Sequence, residues 1–458
     1  MDERGLTQVR AQLEDFAAEV FAGLARSDQR ATGLRYLRGL MLDGQRKSMQ
    51  PMGERLGIDY QQLQQFITSS TWDAVGVRRQ VAAKLLDLVE PQVWVIDDTG
   101  FPKDGTASPC VARQYSGTLG KVGNCQIAVS VHAATDTASG VLDWRLFVPE
   151  SWDQTCVPDE HGVVANPHAQ RLRERDTTVD EAGNPKPQTR KKLPREQQIA
   201  DIARRRAAAK VPDEQRYRPK WMLALQMLDE LAGWGHRPPV LTADAGYGQS
   251  GQFRDELTER GIRYVVAITS TVTAHPADAV ATTVPYGGRG RPSVPRYRAK
   301  ALAVKELALA GGQQATTRVR WRTGTRTDPD NPTGDMAGHF LALRVRPAGR
   351  HVRHDDDGLL PERWLLAEWP PSVAEPTDYW LSDLPADTPL ADLVHLAKAR
   401  WRIEHDYREL KTGLGLDHYE GRTWHGWHRH VTLVTAAQLF LTQLRLGDRT
   451  NPKATGQA

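Results

Sequence analysis

The stretch VWVIDDTG at residues 93–100 decides the fold class. Its four apolar residues predict a buried strand, which runs into the adjacent carboxylates Asp97 and Asp98. Residues 126–132 (QIAVSVH) and 140–147 (GVLDWRLF) predict two more strands, close enough in sequence to form a meander with the first. A fourth strand over residues 239–244 also ends in a carboxylate, Asp244, and a fifth covers residues 264–268. These strands, together with helical segments elsewhere, predict an α/β protein.

The segments on either side of this core differ from it in pattern. Residues 5–90 carry apolar residues at helical spacing, and Gly57 and Asp59 mark the end of one short helix and the start of the next. A helix-turn-helix that reads DNA and a plain helical bundle both fit this region, and the bundle is favoured. Residues 271–385 contain short alternating runs separated by turns, which indicate an antiparallel β-region. The spacing then predicts single helices over 393–412 and 427–446.

We therefore predict five regions along the chain. They are a helical N-terminal domain (1–90) that could bind DNA, the first part of a catalytic core (91–270) with a basic excursion (165–220), a β-rich insertion (271–390), the C-terminal helices of the core (391–446) and a flexible tail (447–458).

The net charge of +4 conceals two basic regions. Residues 171–220 hold 15 basic and 8 acidic residues, and residues 271–350 hold 13 and 5. Two basic regions on an acidic remainder are typical of a protein that binds a polyanion. Three scattered cysteines indicate a reducing cytoplasm rather than disulfides, and neither a signal peptide nor a membrane-spanning stretch is evident.

Three carboxylate positions carry the chemistry that we predict. Asp97 or Asp98 and Asp244 end strands of the sheet, and Glu404 lies in the helix predicted over residues 393–412. Carboxylates at strand ends meet at one edge of an α/β sheet and suit Mg²⁺ or Mn²⁺, and two such ions can clamp a phosphodiester. On an ideal helix Arg400, Glu404 and Lys411 form one stripe. A solvated helix face with ordinary ion pairs would give the same pattern.

The string Arg400-Trp401-Arg402-Ile403-Glu404, followed by Lys411, resembles the signature helix of bacterial insertion-sequence transposases of the DDE type. That signature also contains a tyrosine, which falls on Ala397 here, and Tyr407 on a nearby face is the possible substitute. Residues 96–103 and 242–248 resemble the first and second aspartate segments of a DDE endonuclease group, and residues 415–430 resemble its C-terminal continuation. The resemblance covers roughly residues 10–445.

The resemblance implies a ribonuclease H-like mixed sheet flanked by helices, with an N-terminal helical domain and an inserted antiparallel β-subdomain. It implies that Asp98, Asp244 and Glu404 bind two Mg²⁺ (or Mn²⁺) ions, with Asp98 preferred to Asp97 by its Asp-Thr pairing. Phosphate contacts are expected from the neighbouring helix residues, namely Arg400, Lys411, Tyr407 and Arg408.

The activity implied is that of a DNA transposase. Water would cut double-stranded transposon-end DNA, and the freed 3′-OH would be joined to target DNA by a homodimer on paired ends in the bacterial cytoplasm, associated with the nucleoid. Two alternatives stay open: a metal-dependent nuclease without strand transfer, and a domesticated DNA-binding regulator.

Two further features point towards DNA. Gly288-Arg289-Gly290-Arg291-Pro292 resembles the core of an AT-hook, in which Arg289 and Arg291 would enter a minor groove, although non-specific phosphate contact is the favoured alternative. In some relatives a tryptophan of the β-insertion stabilises a flipped base. The candidates here, for which core packing is the favoured alternative, are Trp321, Trp364, Trp369 and Trp380.

Overall fold

A computed structural model describes residues 3–169, 193–283, 295–323, 335–349 and 352–450. The predicted AT-hook, with Arg289 and Arg291, lies outside these residues, as do residues 190–192 of the first basic region. The helices are Glu3–Val20 (α1), Ser27–Met41 (α2), Met49–Leu56 (α3), Tyr60–Thr68 (α4), Ala74–Val89 (α5), Arg195–Ala208 (α6), Lys220–Gly233 (α7), Ala245–Gly248 (α8), Gly251–Glu259 (α9), Val304–Gly311 (α10), Leu390–Lys398 (α11), Trp401–Arg408 (α12) and Trp424–Thr450 (α13).

The strands are Val93–Pro102 (β1), Ala112–Ser116 (β2), Lys121–Ala134 (β3), Ser139–Leu146 (β4), Leu241–Ala243 (β5), Tyr264–Ile268 (β6), Thr273–Pro276 (β7), Ala281–Thr282 (β8), Arg296–Tyr297 (β9), Leu302–Ala303 (β10), Thr317–Thr323 (β11), Asp335–Pro347 (β12), Arg363–Glu368 (β13) and Asp378–Ser382 (β14). Within the described residues, twelve of them form one sheet in the order β10-β7-β12-β13-β14-β6-β5-β1-β3-β2, with β11 paired to β12 and β4 to β3. Strands β1, β5 and β6 are parallel and the other pairs are antiparallel, so the sheet is mixed and the predicted α/β class is confirmed.

Strand β1 is longer than predicted. Its pairing with β3 continues past Asp97 and Asp98 to the pair Pro102↔Cys125, so the two carboxylates lie within the strand and the prediction that the strand ends at them was wrong. The two faces of β1 contact different layers. Trp94 and Ile96 belong to the largest apolar core, whereas Val93 and Val95 pack against Ile403 of α12. Strand alternation therefore places Asp97 on the face that α12 covers and Asp98 on the other.

The β-rich region extends the central sheet and does not form a sheet of its own. Strand β14 pairs with β6, and β13, β12 and β7 follow outwards from it, all antiparallel. Only the short pair β8–β9 stands apart in the described part of this region. A continuous row of backbone hydrogen bonds thus connects the insertion to the strands that carry the carboxylates.

The helix predicted over residues 393–412 is divided into three parts. Helix α11 ends at Lys398, α12 begins at Trp401, and residues Glu409–Gly413 form a π-helical turn. At the junction the amides of Arg402 and Ile403 bond to the carbonyls three residues before them, which tightens the chain locally. The prediction of a single helix was therefore wrong. Arg400, Glu404 and Lys411 do not form a stripe along one ideal helix, because Arg400 precedes α12 and Lys411 lies in the π-helical turn.

The N-terminal helices share their core with the end of the chain. Gly57 ends α3 in the left-handed conformation (φ 65°), and the Asp59 carboxylate caps α4 by accepting the Gln61 amide, both as predicted. Apolar residues of α1, α2, α4 and α5 pack in one core with α13 and one face of the sheet. Helix α13 continues to Thr450, past the predicted start of the tail at residue 447. No helix in the described ranges is long and apolar enough to cross a membrane.

Candidate active site

Asp97 is held beneath α12 by an arginine. Its carboxylate oxygen Oδ2 accepts a hydrogen bond from Arg400 Nη2 at 2.9 Å, and Oδ1 accepts the Asp98 amide at 2.8 Å. Only 5% of the residue is exposed. Burial raises the pKa of Asp97 to about 7. The positive charge of Arg400 lowers this pKa, and the negative charges of Asp244 and Asp98 raise it.

Asp98, on the opposite face of β1, has a different cation. Lys220 Nζ, at the start of α7, lies 3.0 Å from each carboxylate oxygen of Asp98, and the Tyr247 hydroxyl donates to Oδ2 at 3.3 Å. The side chains of Asp98 and Lys220 are 21% and 33% exposed. Asp98 is therefore the more accessible of the two neighbouring carboxylates.

Asp244 follows β5 directly and caps α8. Its Oδ1 accepts the Tyr247 amide at 3.3 Å. The register pairs Ile96 with Ala243 in parallel strands, so the residues that follow, Asp97 and Asp244, come side by side. Burial raises the pKa of Asp244, and the Asp98 charge raises it further against the opposing effect of Arg400. The register therefore brings the carboxylates of the two strands together, within β1 and directly after β5.

Arg400 lies among the carboxylates of three elements. Burial by itself lowers the pKa of this guanidinium, but attraction to Asp97, Asp244 and Glu404 outweighs burial, and the pKa is raised. Glu404 is exposed on α12, within electrostatic reach of Arg400. The junction between α11 and α12 thus directs a cation into the cluster while Glu404 stays at its rim.

The donor set fits a hard divalent cation in kind. Oxygen ligands are what such ions prefer, and burial raises the pKa values of Asp97 and Asp244, so that an added cation would favour their ionised forms. In the described ranges, however, no group of three or more Asp, Glu, His or Cys side chains is close enough to hold a metal. The carboxylates are paired instead with Arg400 and Lys220.

The other predicted helix residues take separate positions. Lys411 Nζ donates to the Gly100 carbonyl at 2.8 Å and to Thr118 Oγ1 at 3.1 Å, and burial lowers its pKa. The Tyr407 hydroxyl is turned inwards onto Ser130 Oγ at 2.6 Å, and Arg408 is exposed. The structure therefore brings Arg400 to the carboxylates and Lys411 to the far half of β1, while Tyr407 is directed at β3.

The tryptophans of the β-region divide into two pairs. Trp369 and Trp380 are buried, as core packing requires, while Trp321 and Trp364 are half-buried.

Two site residues were missed altogether by sequence reasoning, Lys220 and Tyr247. Tyr247 lies within the quoted segment 242–248, which was the one signal available, whereas nothing in the sequence around Lys220 distinguishes it.

Comparisons with known proteins identify the class. A family model described as DDE superfamily endonuclease matches residues 19–328, and one described as transposase DDE domain matches residues 222–440. The first match covers more than half of the chain, so the chain belongs to the DDE superfamily endonucleases. Enzymes of this superfamily use divalent metal ions.

One curated relative carries a more particular name. The chain is 26% identical over 236 residues to a protein of Microchaete diplosiphon named "Probable transposase for insertion sequence element IS701". The match covers 51% of this chain and 47% of that protein, so it spans about half the length of the relative.

Proposed function

We propose that this protein is a DNA transposase of an insertion sequence. The family match and the name of the relative support this assignment. The observation that carries it is the cluster in which Asp97 and Asp244, from parallel neighbouring strands, lie with Arg400 and Glu404, while the Asp98 charge acts on Asp244 from the next position of β1. The central strand order β4-β3-β1-β5-β6 supports a ribonuclease H-like core. The N-terminal helical domain and the inserted β-subdomain stay predictions.

Asp98, Asp244 and Glu404 would hold the divalent ions, which we expect to be two Mg²⁺ or Mn²⁺. When bound, the ions would activate the attacking oxygen and neutralise charge that develops on the phosphate. We assign Asp98 rather than Asp97 because Asp98 is partly exposed beside a half-buried lysine, whereas Asp97 is buried under Arg400.

The proposed reaction consists of two displacements at phosphorus, a hydrolysis and then a transesterification, and in each the attacking oxygen loses a proton and the departing 3′ oxygen gains one. In the first, a water oxygen attacks the phosphorus at the element end, a P–O bond forms, and the bond to the 3′ oxygen breaks to release a 3′-OH. In the second, that 3′-OH attacks a phosphodiester of target DNA and displaces another 3′ oxygen. Arg400 would keep Asp97 in place and face the phosphate. Lys411 supports β1, the strand that carries Asp97 and Asp98.

We expect double-stranded DNA to be bound by a homodimer on paired ends, in the nucleoid of the bacterial cytoplasm. A phosphate contact from Arg408, and groove or phosphate contacts from Arg289 and Arg291, stay predictions. The predicted phosphate contact of Tyr407 would require its hydroxyl, which is bonded to Ser130 Oγ, to turn outwards. Exposed basic residues of the described β-region, such as Arg296, Arg298 and Arg318, support an approach of DNA along that side of the sheet.

Substitution of Glu404 tests the proposal. Glu404→Gln should reduce Mg²⁺-dependent cleavage of element-end DNA to background, because a neutral amide is a poor ligand for a hard cation, and should leave DNA binding unchanged. The exposed Glu160, remote in sequence from the cluster, provides the matched control Glu160→Gln. Cleavage assays on end-labelled DNA, with gel-shift titrations in Ca²⁺, measure the two properties separately.

The alternatives give different outcomes of the same experiment. If Glu404→Gln cleaves DNA at the wild-type rate, the three metal-binding carboxylates are assigned wrongly. A wild-type protein that binds DNA and never cuts it would support the domesticated regulator.

A further inference from the structure

A chain of buried polar side chains connects α12 to strand β3. The Tyr407 hydroxyl lies 2.6 Å from Ser130 Oγ, Ser130 Oγ lies 3.0 Å from His132 Nε2, and His132 Nδ1 lies 3.1 Å from Asp406 Oδ2. Ser130 and His132 are fully buried and Asp406 is 2% exposed. We refer to these four residues, Asp406, His132, Ser130 and Tyr407, as the clamp.

The chemistry of the clamp fixes the direction of each hydrogen bond. An ionised carboxylate can only accept, so His132 Nδ1 donates to Asp406 and His132 Nε2 must accept from the Ser130 hydroxyl. Ser130 Oγ then accepts from the Tyr407 hydroxyl. The other oxygen of Asp406 accepts from Ser139 Oγ at 2.6 Å. Every member is therefore satisfied, which is the condition under which a buried polar network specifies a single arrangement.

The clamp lies directly beside the proposed catalytic carboxylates. In the β1–β3 register Ser130 is opposite Asp97 and His132 is opposite Val95. Ser130 and His132 therefore lie on the sheet face that α12 covers. Asp406 and Tyr407 are two and three residues after Glu404, on the side of α12 that is turned towards this face.

Besides the clamp, α12 is attached by the guanidinium of Arg402, which donates to Ser139 Oγ at 3.0 Å and to the Thr137 carbonyl at 3.2 Å, and by apolar packing. Its apolar contact with the sheet is made by Ile403, which packs on Val93 and Val95, and the chain on either side of the helix is irregular. Non-directional apolar packing permits a helix to slide or rotate slightly, whereas hydrogen bonds of fixed direction do not. The clamp supplies directional bonds on the turn that carries Glu404.

We propose that the clamp is a positioning device that sets the place of Glu404 relative to the aspartates. This inference rests on the proposed function, because it assumes that Glu404 is a metal ligand. None of the four residues would touch substrate or metal. Their expected effect is on how well the carboxylates bind a divalent ion, and through that on the rate of cleavage.

The test is Mn²⁺ binding to the full-length protein, measured by isothermal titration, with cleavage kinetics beside it. Tyr407→Phe removes one hydroxyl and should weaken Mn²⁺ binding by roughly 10-fold and lower kcat, with KM for DNA unchanged. Ser130→Ala should do the same, and it serves if Tyr407→Phe does not fold. The matched control is Tyr36→Phe, which removes a buried hydroxyl bonded to His430 far along the chain and should leave Mn²⁺ binding unchanged.

The outcomes separate this inference from the proposed function. If the wild-type protein binds Mn²⁺, Glu404→Gln does not, and both clamp variants bind Mn²⁺ as tightly as wild type, the clamp has only a structural role and the inference is wrong. If the wild-type protein binds no Mn²⁺, the proposed metal site itself fails. A lower thermal midpoint with an unchanged Mn²⁺ affinity in the clamp variants would also overturn positioning.

Discussion

Asp97 and Asp98 are neighbours in sequence but have different surroundings. Strand alternation turns Asp97 towards α12 and Arg400, and Asp98 towards α7 and Lys220. The carboxylates could be predicted from the sequence because acids that directly follow an apolar run are a local pattern. Lys220 could not, since it is 122 residues from Asp98 and reaches it only through the packing of α7 on the sheet.

This difference predicts unequal effects of two matched substitutions. Asp98→Asn should reduce Mg²⁺-dependent cleavage to background, because it removes a proposed ligand. Asp97→Asn should cost only roughly 10- to 100-fold, because it releases Arg400 without removing a ligand. Single-turnover cleavage rates measure both. The reverse order, with Asp97→Asn inactive and Asp98→Asn active, would make Asp97 the ligand.

His425, His428 and His430 lie close together in sequence, as metal ligands can, but His428 and His430 make hydrogen bonds within the fold. Trp424 and Trp427 alternate with these histidines at the beginning of α13, where His430 is buried and His428 is half-buried. His430 bonds to the Tyr36 hydroxyl and the Gly415 carbonyl. Burial lowers the pKa of His428 to about 3 and that of His430 to about 4.

These depressed values predict acid sensitivity. His430 has an ordinary pKa of 6.5 when unfolded and about 4 when folded, so the unfolded state binds more protons between these values and stability falls as pH drops from 6.5 towards 4. At pH 5 the loss is about 2 kcal/mol for this residue. Urea unfolding should show wild type losing that much more stability than His430→Gln between pH 7 and 5.

The exposed His161 provides the control variant His161→Gln, which should keep the wild-type pH dependence. Equal pH dependence of His430→Gln and wild type would mean that His430 does not resist protonation in the folded protein.

At the scale of elements, local periodicity predicted β1, β3, β4, β5 and β6, the helical region before residue 90 and the last helix. The pairing of β14 with β6, which extends the catalytic sheet into the insertion, could not be read from periodicity because strand pairing is non-local. The break before Trp401 has no proline or glycine to mark it. It coincides with tertiary contacts, namely Arg400 on Asp97 and Arg322 stacked on the Trp401 ring at 3.6 Å.

Strand β11 gives an element-scale prediction about DNA. Among the described strands it pairs with β12 alone, and its exposed Arg318 and Arg320 alternate with the buried Val319. If both arginines contact phosphates, Arg318→Gln with Arg320→Gln should weaken binding of any duplex and reduce the salt slope of log K by about 2. Fluorescence anisotropy between 50 and 200 mM salt (roughly the range over which such contacts are lost) measures the slope.

The control for β11 is Arg237→Gln, an exposed arginine of the α7–β5 connection. A slope that does not change in the double variant would remove β11 from the DNA-binding surface.

At the scale of the whole molecule, the ends of the chain are packed together. The N-terminal helices share the largest core with α13, and Tyr36 of α2 bonds to His430 of α13. A domain boundary at residue 90 stays a prediction, and sequence patterns could not show this contact because it joins residues 394 positions apart.

A count of charged residues along the sequence does not show which of them are exposed. Arg206 of the first basic region is buried and bonded to the backbone, so it is not part of an outer basic surface.

In the proposed function, one carboxylate cluster both cuts and joins DNA. The most direct measurement incubates the full-length protein with Mg²⁺, the terminal sequences of the genomic element that carries its gene, and a supercoiled plasmid. Wild type should yield plasmid joined to the element's 3′ ends, and Glu404→Gln should yield neither cut nor joined DNA while still binding the ends. Clean cutting with no joined plasmid, or joining that survives in Glu404→Gln, would contradict the account.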